Sequence, residues 1–506
     1  MTSIVVDGRS LSVRDVVSVA RESKDAELSP AAAERVRASR DVVEKALSSG
    51  RTVYGVTTGF GKLSEVTIDT SQVEALQRNL ILSHCAGVGD PLDIECVRAV
   101  MLLRANALAH GLSGVRLSTL DTLLRMLNAG VHPVIPEKGS LGASGDLAPL
   151  AHMCSVMIGE GEAFYRGRRL KGGEAMREAG IEPVVLKAKE GLALINGTQV
   201  MSAIGCLAVH DASVLATTAD VAASLTFEAL RGIPDAFGEG VIEARPHRGA
   251  RESAANVRRL VAGSRLASRP GEVRVQDAYA LRCIPQVHGA CRDAIRHTTA
   301  ALETEINSAT DNPLIFSDSI VSGGNFHGEP VALPLDYLGI GLSELANISE
   351  RRIERLVNPA LSGLPAFLAV NGGLNSGFML MQYTAAALVS ENKILASPAS
   401  VDSIPSSANQ EDHVSMGTIA ARKAREIAWN TSSVIAMELL TAAQAIEFRD
   451  PDMLGEGTRA AYDLVRSLVS RVEVDRPLAP DVEAIRELVV KGEFARTASG
   501  AVGPLA

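Results

Sequence analysis

The chain of 506 residues is 46% hydrophobic, ample for a large core, and with only 3% aromatics that core must be built from Ala, Leu, Val and Ile. Such a composition suits long packed helices rather than sheets. A net charge of −9 without any basic tract argues against a nucleic-acid partner.

In chain order, IVVDGRSLS near the start reads as a small hairpin, because Asp7-Gly8 is a strong two-residue turn signal. Neither a basic region nor a long apolar run precedes it, so no signal peptide is expected. Helices are expected over 13–22 and 30–47, the second with Pro30 in its first turn and Gly50 past its end. YGVTTGFGKLS (54–64) is a glycine-rich loop that lacks the spacing of a phosphate loop. Tyr54 opens it, and a tyrosine beside such backbone serves as a general base once a nearby donor or cation lowers its pKa; by itself it is as readily a packing residue. Further helices follow over 70–83, 91–111 and 115–129, with His84 just past an apolar face formed by Leu76 and Leu80.

KGSLGASGDLAPL (138–150) is rich in small residues within apolar surroundings. Gly139, Gly142 and Gly145 permit positive φ and close approach, and Asp146 reads as a helix start. Ala143-Ser144-Gly145 can react with itself. In a tight bend the Gly145 nitrogen attacks the Ala143 carbonyl carbon, and loss of two waters leaves a five-membered imidazolone with Ser144 turned into a dehydroalanine. The product is an electrophile, which ordinary side chains do not supply. Taken alone the tripeptide reads as a turn rather than a cofactor, since Ala498-Ser499-Gly500 repeats it near the C-terminus, where a mobile tail is expected.

A short hairpin is expected over 163–171 and a brief helix over 174–179. The stretch 198–230, with no proline and one glycine, reads as a buried helix about 50 Å long at ~1.5 Å per residue. Long helical patterns recur over 248–265, 276–308, 329–356, 375–395, 413–446, 455–472 and 480–492. Leu356–Ser390 carries no charge but is broken by Asn358, Pro359, Pro365 and Gly372-Gly373, so buried core rather than a membrane span is expected. Gln276, Tyr279 and Arg282 fall on one helical face, a forked cation with two neutral donors that suits the carboxylate of an α-amino or α-keto acid. Asn409 to His413 crowds polar heads together at the start of an apolar helix, more than capping needs. Six scattered cysteines without a CxxC pair read as buried free thiols, and ten histidines without HxxxH or HExxH spacing support no metal site.

The blocks YGVTTGFG (54–61), LSHCAGVG (82–89), GSLGASGDLAPLAHM (139–153), INGTQ (195–199), QDAYALRCIPQVHGA (276–290), SATDNPL (308–314), SGGNFHGEP (322–330) and SANQEDHVSMG (407–417) together resemble the aromatic amino acid ammonia-lyase family. The resemblance implies a mainly α, fumarase/aspartase-like architecture. It would comprise an N-terminal region (1–197) bearing the electrophile loop and Tyr54, and a long-helix core with C-terminal helices (198–506), one intertwined catalytic unit. It implies a 4-methylidene-imidazol-5-one made from Ala143, Ser144 and Gly145, with no external cofactor. The catalytic set carried over is Tyr54, Asn196, Tyr279 and Glu411, with His84, Gln276, Arg282 and Phe326 binding substrate. A cytoplasmic homotetramer with shared active sites is implied, without nucleic-acid or membrane partners. His84 together with Glu411 is the pairing of histidine-specific members, which release ammonia from L-histidine and leave trans-urocanate. The two can satisfy a donor and an acceptor on an imidazole, whereas a phenyl ring would strand a buried carboxylate. The nearest alternative is a tyrosine or phenylalanine lyase or aminomutase with the same ring. An inactive binding relative and a fumarase-type lyase without the ring are further off, given intact Ala143-Ser144-Gly145, Tyr54 and Arg282.

Overall fold

The computed structural model describes residues 3–49, 58, 68–69 and 72–506. The fold is mainly α, as the composition predicts, with strands confined to short pairs and one three-stranded sheet among the described residues. Two compact units emerge. The first comprises Met1–His210, Thr298–Asp336 and Pro398–Arg422, and the second Asp211–His297, Tyr337–Ser397 and Lys423–Ala506.

In the first unit the expected N-terminal hairpin does not form. Ile4–Val6 pairs instead with Ala26–Leu28, in parallel, across the Val13–Arg21 helix. The Asp7 carboxylate turns the chain by accepting the amides of Arg9 (2.7 Å) and Ser10 (3.0 Å), and Ser12 with Asp15 then forms a capping box. A local signal read as a strand reversal is thus a helix entry. Pro30–Ser48 starts as expected, with the Ser29 side chain accepting from Ala32 and Pro30 in the first turn. Ile94–Ala109, capped by Asp93, is buried along almost its whole length and packs between Val13–Arg21 and Leu117–Ala129. Glu162–Tyr165 and Arg168–Lys171 form the expected hairpin, and His132–Pro133 extends it to a three-stranded sheet.

In the second unit, buried charges are paired inside the helical core. Arg352 binds Glu438 through two contacts (2.5 and 2.8 Å), while Asp220 accepts from His288 and Arg292 at 2.7 Å each. The second Ala-Ser-Gly copy is no mobile tail: it lies in the Glu493–Val502 helix with Ala498 buried, and the Ala506 amide donates to Asn256. The uncharged stretch after Leu356 is not all core either. Leu374 (85% exposed), Leu380 and Tyr383 face outward on the single chain. All six cysteines are free, four of them buried. Gln199–Ala229 is long and apolar enough to cross a membrane by length and composition, yet 72% of its most apolar window is buried within the fold.

Candidate active site

The strand Pro136–Lys138 delivers the chain into the glycine-rich loop, and the helix Leu147–Met157 leaves it. Gly142 and Gly145 have φ of +72° and +71°, where a side chain is strained. Space forbids one as well. A Cβ at Gly145 would be driven into the Gly197 carbonyl, and one at Gly142 into the Ser415 hydroxyl. Gly145 bridges Gly197 in parallel, and the Asp146 amide donates to the Gly197 carbonyl at 2.7 Å. On the other side, Met416 donates to the Leu141 carbonyl and Ser415 to that of Gly142. The bend holding Ala143-Ser144-Gly145 is therefore clamped from both sides by chain distant in sequence.

Asp146 precedes a helix, as its sequence position suggests, but its carboxylate does not cap it. Its Oδ2 accepts the amides of Val200 and Met201 at 2.9 Å each, capping Gln199–Ala229 instead, while Oδ1 accepts from Ser140 and Thr418. Burial pushes the Asp146 pKa up, and these hydrogen bonds oppose the rise.

His84 ends the Val73–His84 helix with its ring half-buried and Ser83 Oγ 3.1 Å from Nδ1. Burial pushes its pKa below the ordinary 6.5, against the pull of the Leu80 carbonyl and the Glu411 carboxylate. Glu411 does not sit at a helix start: the helix begins at Gly417, and Ser407, Ala408 and Asn409 all have positive φ between +51° and +65°. That strained turn carries Glu411 back so that Oε2 accepts from Ser406 at 3.0 Å and Oε1 from Ser144 at 3.4 Å. His84, Ala143, Gly145, Ser406 and Glu411 line one cavity of about 280 Å³. That is near the lower end of the roughly 300–1,000 Å³ of ligand pockets, as suits a small substrate.

Asn196 caps the end of Glu190–Ile195 and is buried. Its Nδ2 donates to Asp311 (3.3 Å) and to the Asn312 carbonyl (3.0 Å), whereas its Oδ1 is buried without a partner among the described residues. Phe326 is half-buried in the turn before Glu329–Val357 and does not line the cavity; His327 beside it stacks on His413 at 5.5 Å. Tyr54 lies outside the described residues.

Gln276, Tyr279 and Arg282 belong to the second unit. They do not share one continuous helical face, because Tyr279–Arg282 is a single turn broken at Cys283 before Ile284–Glu305, and Gln276 lies outside it. Tyr279 is 71% exposed, and the Arg282 guanidinium stacks 4.7 Å from its ring. Ser406, Lys189, Asp311 and Arg104 escaped the sequence reading of the site. Only Asp311 carried a signal, as part of the turn TDNP, and nothing local marked the others.

The chain matches the aromatic amino acid lyase family over residues 11–467. It is 61% identical over 504 residues to histidine ammonia-lyase of Alkaliphilus oremlandii, covering 99% of each chain. Among solved structures, histidine ammonia-lyase from Trypanosoma cruzi aligns with a TM-score of 0.93 at 45% identity, over 99% of this chain and 96% of that one. Tyrosine aminomutase from Streptomyces globisporus aligns with a TM-score of 0.96 at 41% identity over 100% of both. A match spanning the clamped loop, the Asn196 segment and the Glu411 turn, with identity this high over the full length, means that the chain belongs to the aromatic amino acid lyase family.

Proposed function

We propose that this chain is a histidine ammonia-lyase, eliminating ammonia from L-histidine to give trans-urocanate. The observation that carries the reading is the meeting of the Glu411 carboxylate and a His84 ring held neutral by burial in the cavity that contains the Ala143-Ser144-Gly145 bend. An imidazole substrate offers both a donor and an acceptor to that pair, which a phenyl ring does not.

The loop fits a self-formed methylidene-imidazolone, since Gly145 has no room for a Cβ and the flanking hydrogen bonds hold the bend in place before any bond forms. When formed, the ring supplies an electron sink for departure of the amine. The remaining work falls to side chains. Arg282 pairs with the substrate carboxylate, Glu411 and His84 hold the imidazole, and Tyr54 takes the β-proton as the C–N bond breaks and the C=C bond forms. Asn196, Tyr279, Gln276 and Phe326, none of which lines this cavity within the single chain, would complete the substrate site in the assembled enzyme. Exposure of Tyr279 and Gln276, with the outward Leu374, Leu380 and Tyr383, supports a homotetramer whose active sites are shared between subunits.

The test is ultraviolet detection of urocanate from L-histidine with Ser144→Ala alongside, and intact mass for a deficit of two waters. Wild-type turnover by Ser144→Ala would refute the ring. The aminomutase likeness favours a second reading, a tyrosine or phenylalanine lyase or mutase, and comparing turnover of the three amino acids separates the two.

A further inference from the structure

Gly197, bridged to Gly145, follows Asn196, so the backbone that clamps the electrophile loop also carries that amide. The Asn196 amide nitrogen is oriented by two acceptors, the Asn312 carbonyl at 3.0 Å and the Asp311 carboxylate. Asp311 Oδ1 accepts from Asn196 Nδ2 at 3.3 Å and from the Asn312 amide at 2.7 Å, and Asp311 Oδ2 accepts from Lys189 Nζ at 2.7 Å. Lys189 and Asp311 are sealed from solvent, with side-chain exposures of 0% and 1%. Lys189 reaches its partner from φ +73°, a conformation that residues other than glycine rarely adopt. Arg104, also fully buried and within electrostatic reach of Asp311, donates to the Asn196 carbonyl at 2.9 Å and to Gln199 Oε1 at 2.6 Å.

An apolar pair of similar volume is often as stable as a buried ion pair or more so. Stability alone therefore does not account for two sealed charges and a strained backbone at this point. Orientation does. A carboxylate offers acceptors only, so the nitrogen of the Asn196 amide must face it, and the oxygen is left as a buried acceptor without a partner among the described residues.

We propose that Lys189 and Asp311 are positioning residues that fix the polarity of the Asn196 amide, keeping its oxygen free to accept from an N–H donor in the active site, the ammonium or ring N–H of the substrate. The proposal rests on the lyase reading above. With a neutral amide at position 311, the new oxygen turns to the Lys189 ammonium and the new NH₂ meets Asn196. The Asn196 nitrogen then faces a donor with only the Asn312 carbonyl left to hold it, and a flip of the amide presents a donor where the site needs an acceptor.

The test uses the full-length enzyme in a double-mutant cycle. Asp311→Asn and the charge-balanced Lys189→Met/Asp311→Asn are each made with and without Asn196→Ala. The readouts are kcat and KM for L-histidine, melting temperature, and intact mass for the two-water deficit. The expected result is a roughly 10²-fold loss of kcat with a much smaller change in KM and the mass deficit retained, as for a misplaced group in a formed site. In the Asn196→Ala background the same changes should cost almost nothing more. Losses that multiply in full with that of Asn196→Ala, unchanged kcat, or losses that follow the folded fraction on melting would overturn the proposal. Should the charge-balanced variant not fold, the isosteric Asp311→Asn carries the cycle alone. A wild-type enzyme that turns over tyrosine or phenylalanine instead of histidine refutes the histidine reading only, and the same cycle on that amino acid still decides the role of the pair.

Discussion

Ser144 Oγ donates to Glu411 Oε1 at 3.4 Å, joining residues 267 positions apart. The other Glu411 oxygen is tied to Ser406, a contact that still holds the carboxylate once dehydration of Ser144 would remove the Ser144 hydroxyl. Glu411 thus lies within hydrogen-bond reach of the residue from which the proposed electrophile would form. Glu411→Gln keeps the shape but replaces an acceptor by a donor. Since a hydrogen bond to a charged group is worth about 1.5–3 kcal/mol, kcat/KM for L-histidine should fall about 10- to 100-fold, with a smaller loss for Ser406→Ala. Urocanate absorbance measures both, and an unchanged kcat/KM in Glu411→Gln would refute the role given to this carboxylate.

Gly145→Ala should be more damaging than its size suggests, because the added methyl enters the Gly197 carbonyl at a positive φ. The bend must open, so the purified protein should lack the two-water mass deficit. Finding that deficit at full occupancy would show that the ring does not depend on this close approach.

Asp146→Ala leaves the amides of Val200 and Met201 without their acceptor. At about 1–3 kcal/mol for each stranded buried group, roughly 2–6 kcal/mol of stability should be lost. Urea denaturation measures it. Asp146→Asn, which keeps an acceptor for those amides, should lose much less.

Burial holds the His84 pKa below 6.5, so the ring is neutral at pH 7. Protonation of the free enzyme at His84 should therefore place an acid limb of kcat/KM below pH 6.5, a limb that His84→Gln would remove. A limb above pH 6.5 assigned to this residue by the variant would contradict its burial.

Stability has its own acid limb at His132, whose pKa is pushed down to about 4 by burial and by Arg98. The unfolded chain binds the proton from about pH 6.5 downwards while the folded ring does not, so stability is lost between pH 6.5 and 4 and is flat above. Over that gap of about 2.5 pH units, at about 1.4 kcal/mol each, His132 contributes up to about 3.5 kcal/mol. Melting curves of wild type and His132→Gln across this range should converge as pH falls, and parallel curves would count against the assignment.

Legibility from sequence followed the range of the forces involved. Pro30 in the first turn of its helix, the turn between Glu162–Tyr165 and Arg168–Lys171, and the three glycines around Ala143 act on neighbours a few residues away, and each stood where it was expected. The block resemblance also pointed to His84 and Glu411, which the structure brings to one cavity. Where local chemistry was ambiguous, the reading failed. Asp7-Gly8 served a helix entry instead of a hairpin, the 276–308 pattern broke at Cys283, and Ala498-Ser499-Gly500 became helix because Ala498 found a buried place to pack.

By itself, then, the sequence determined the helical class, the glycine-framed Ala143-Ser144-Gly145 loop and the family. Tertiary structure decided which helix Asp146 caps, which serine holds Glu411, and that Lys189 and Asp311 meet beneath Asn196. The physical reason is that a cap or a turn is completed within one stretch of chain, whereas a buried hydrogen bond or ion pair exists only once packing has removed the water between residues far apart in sequence.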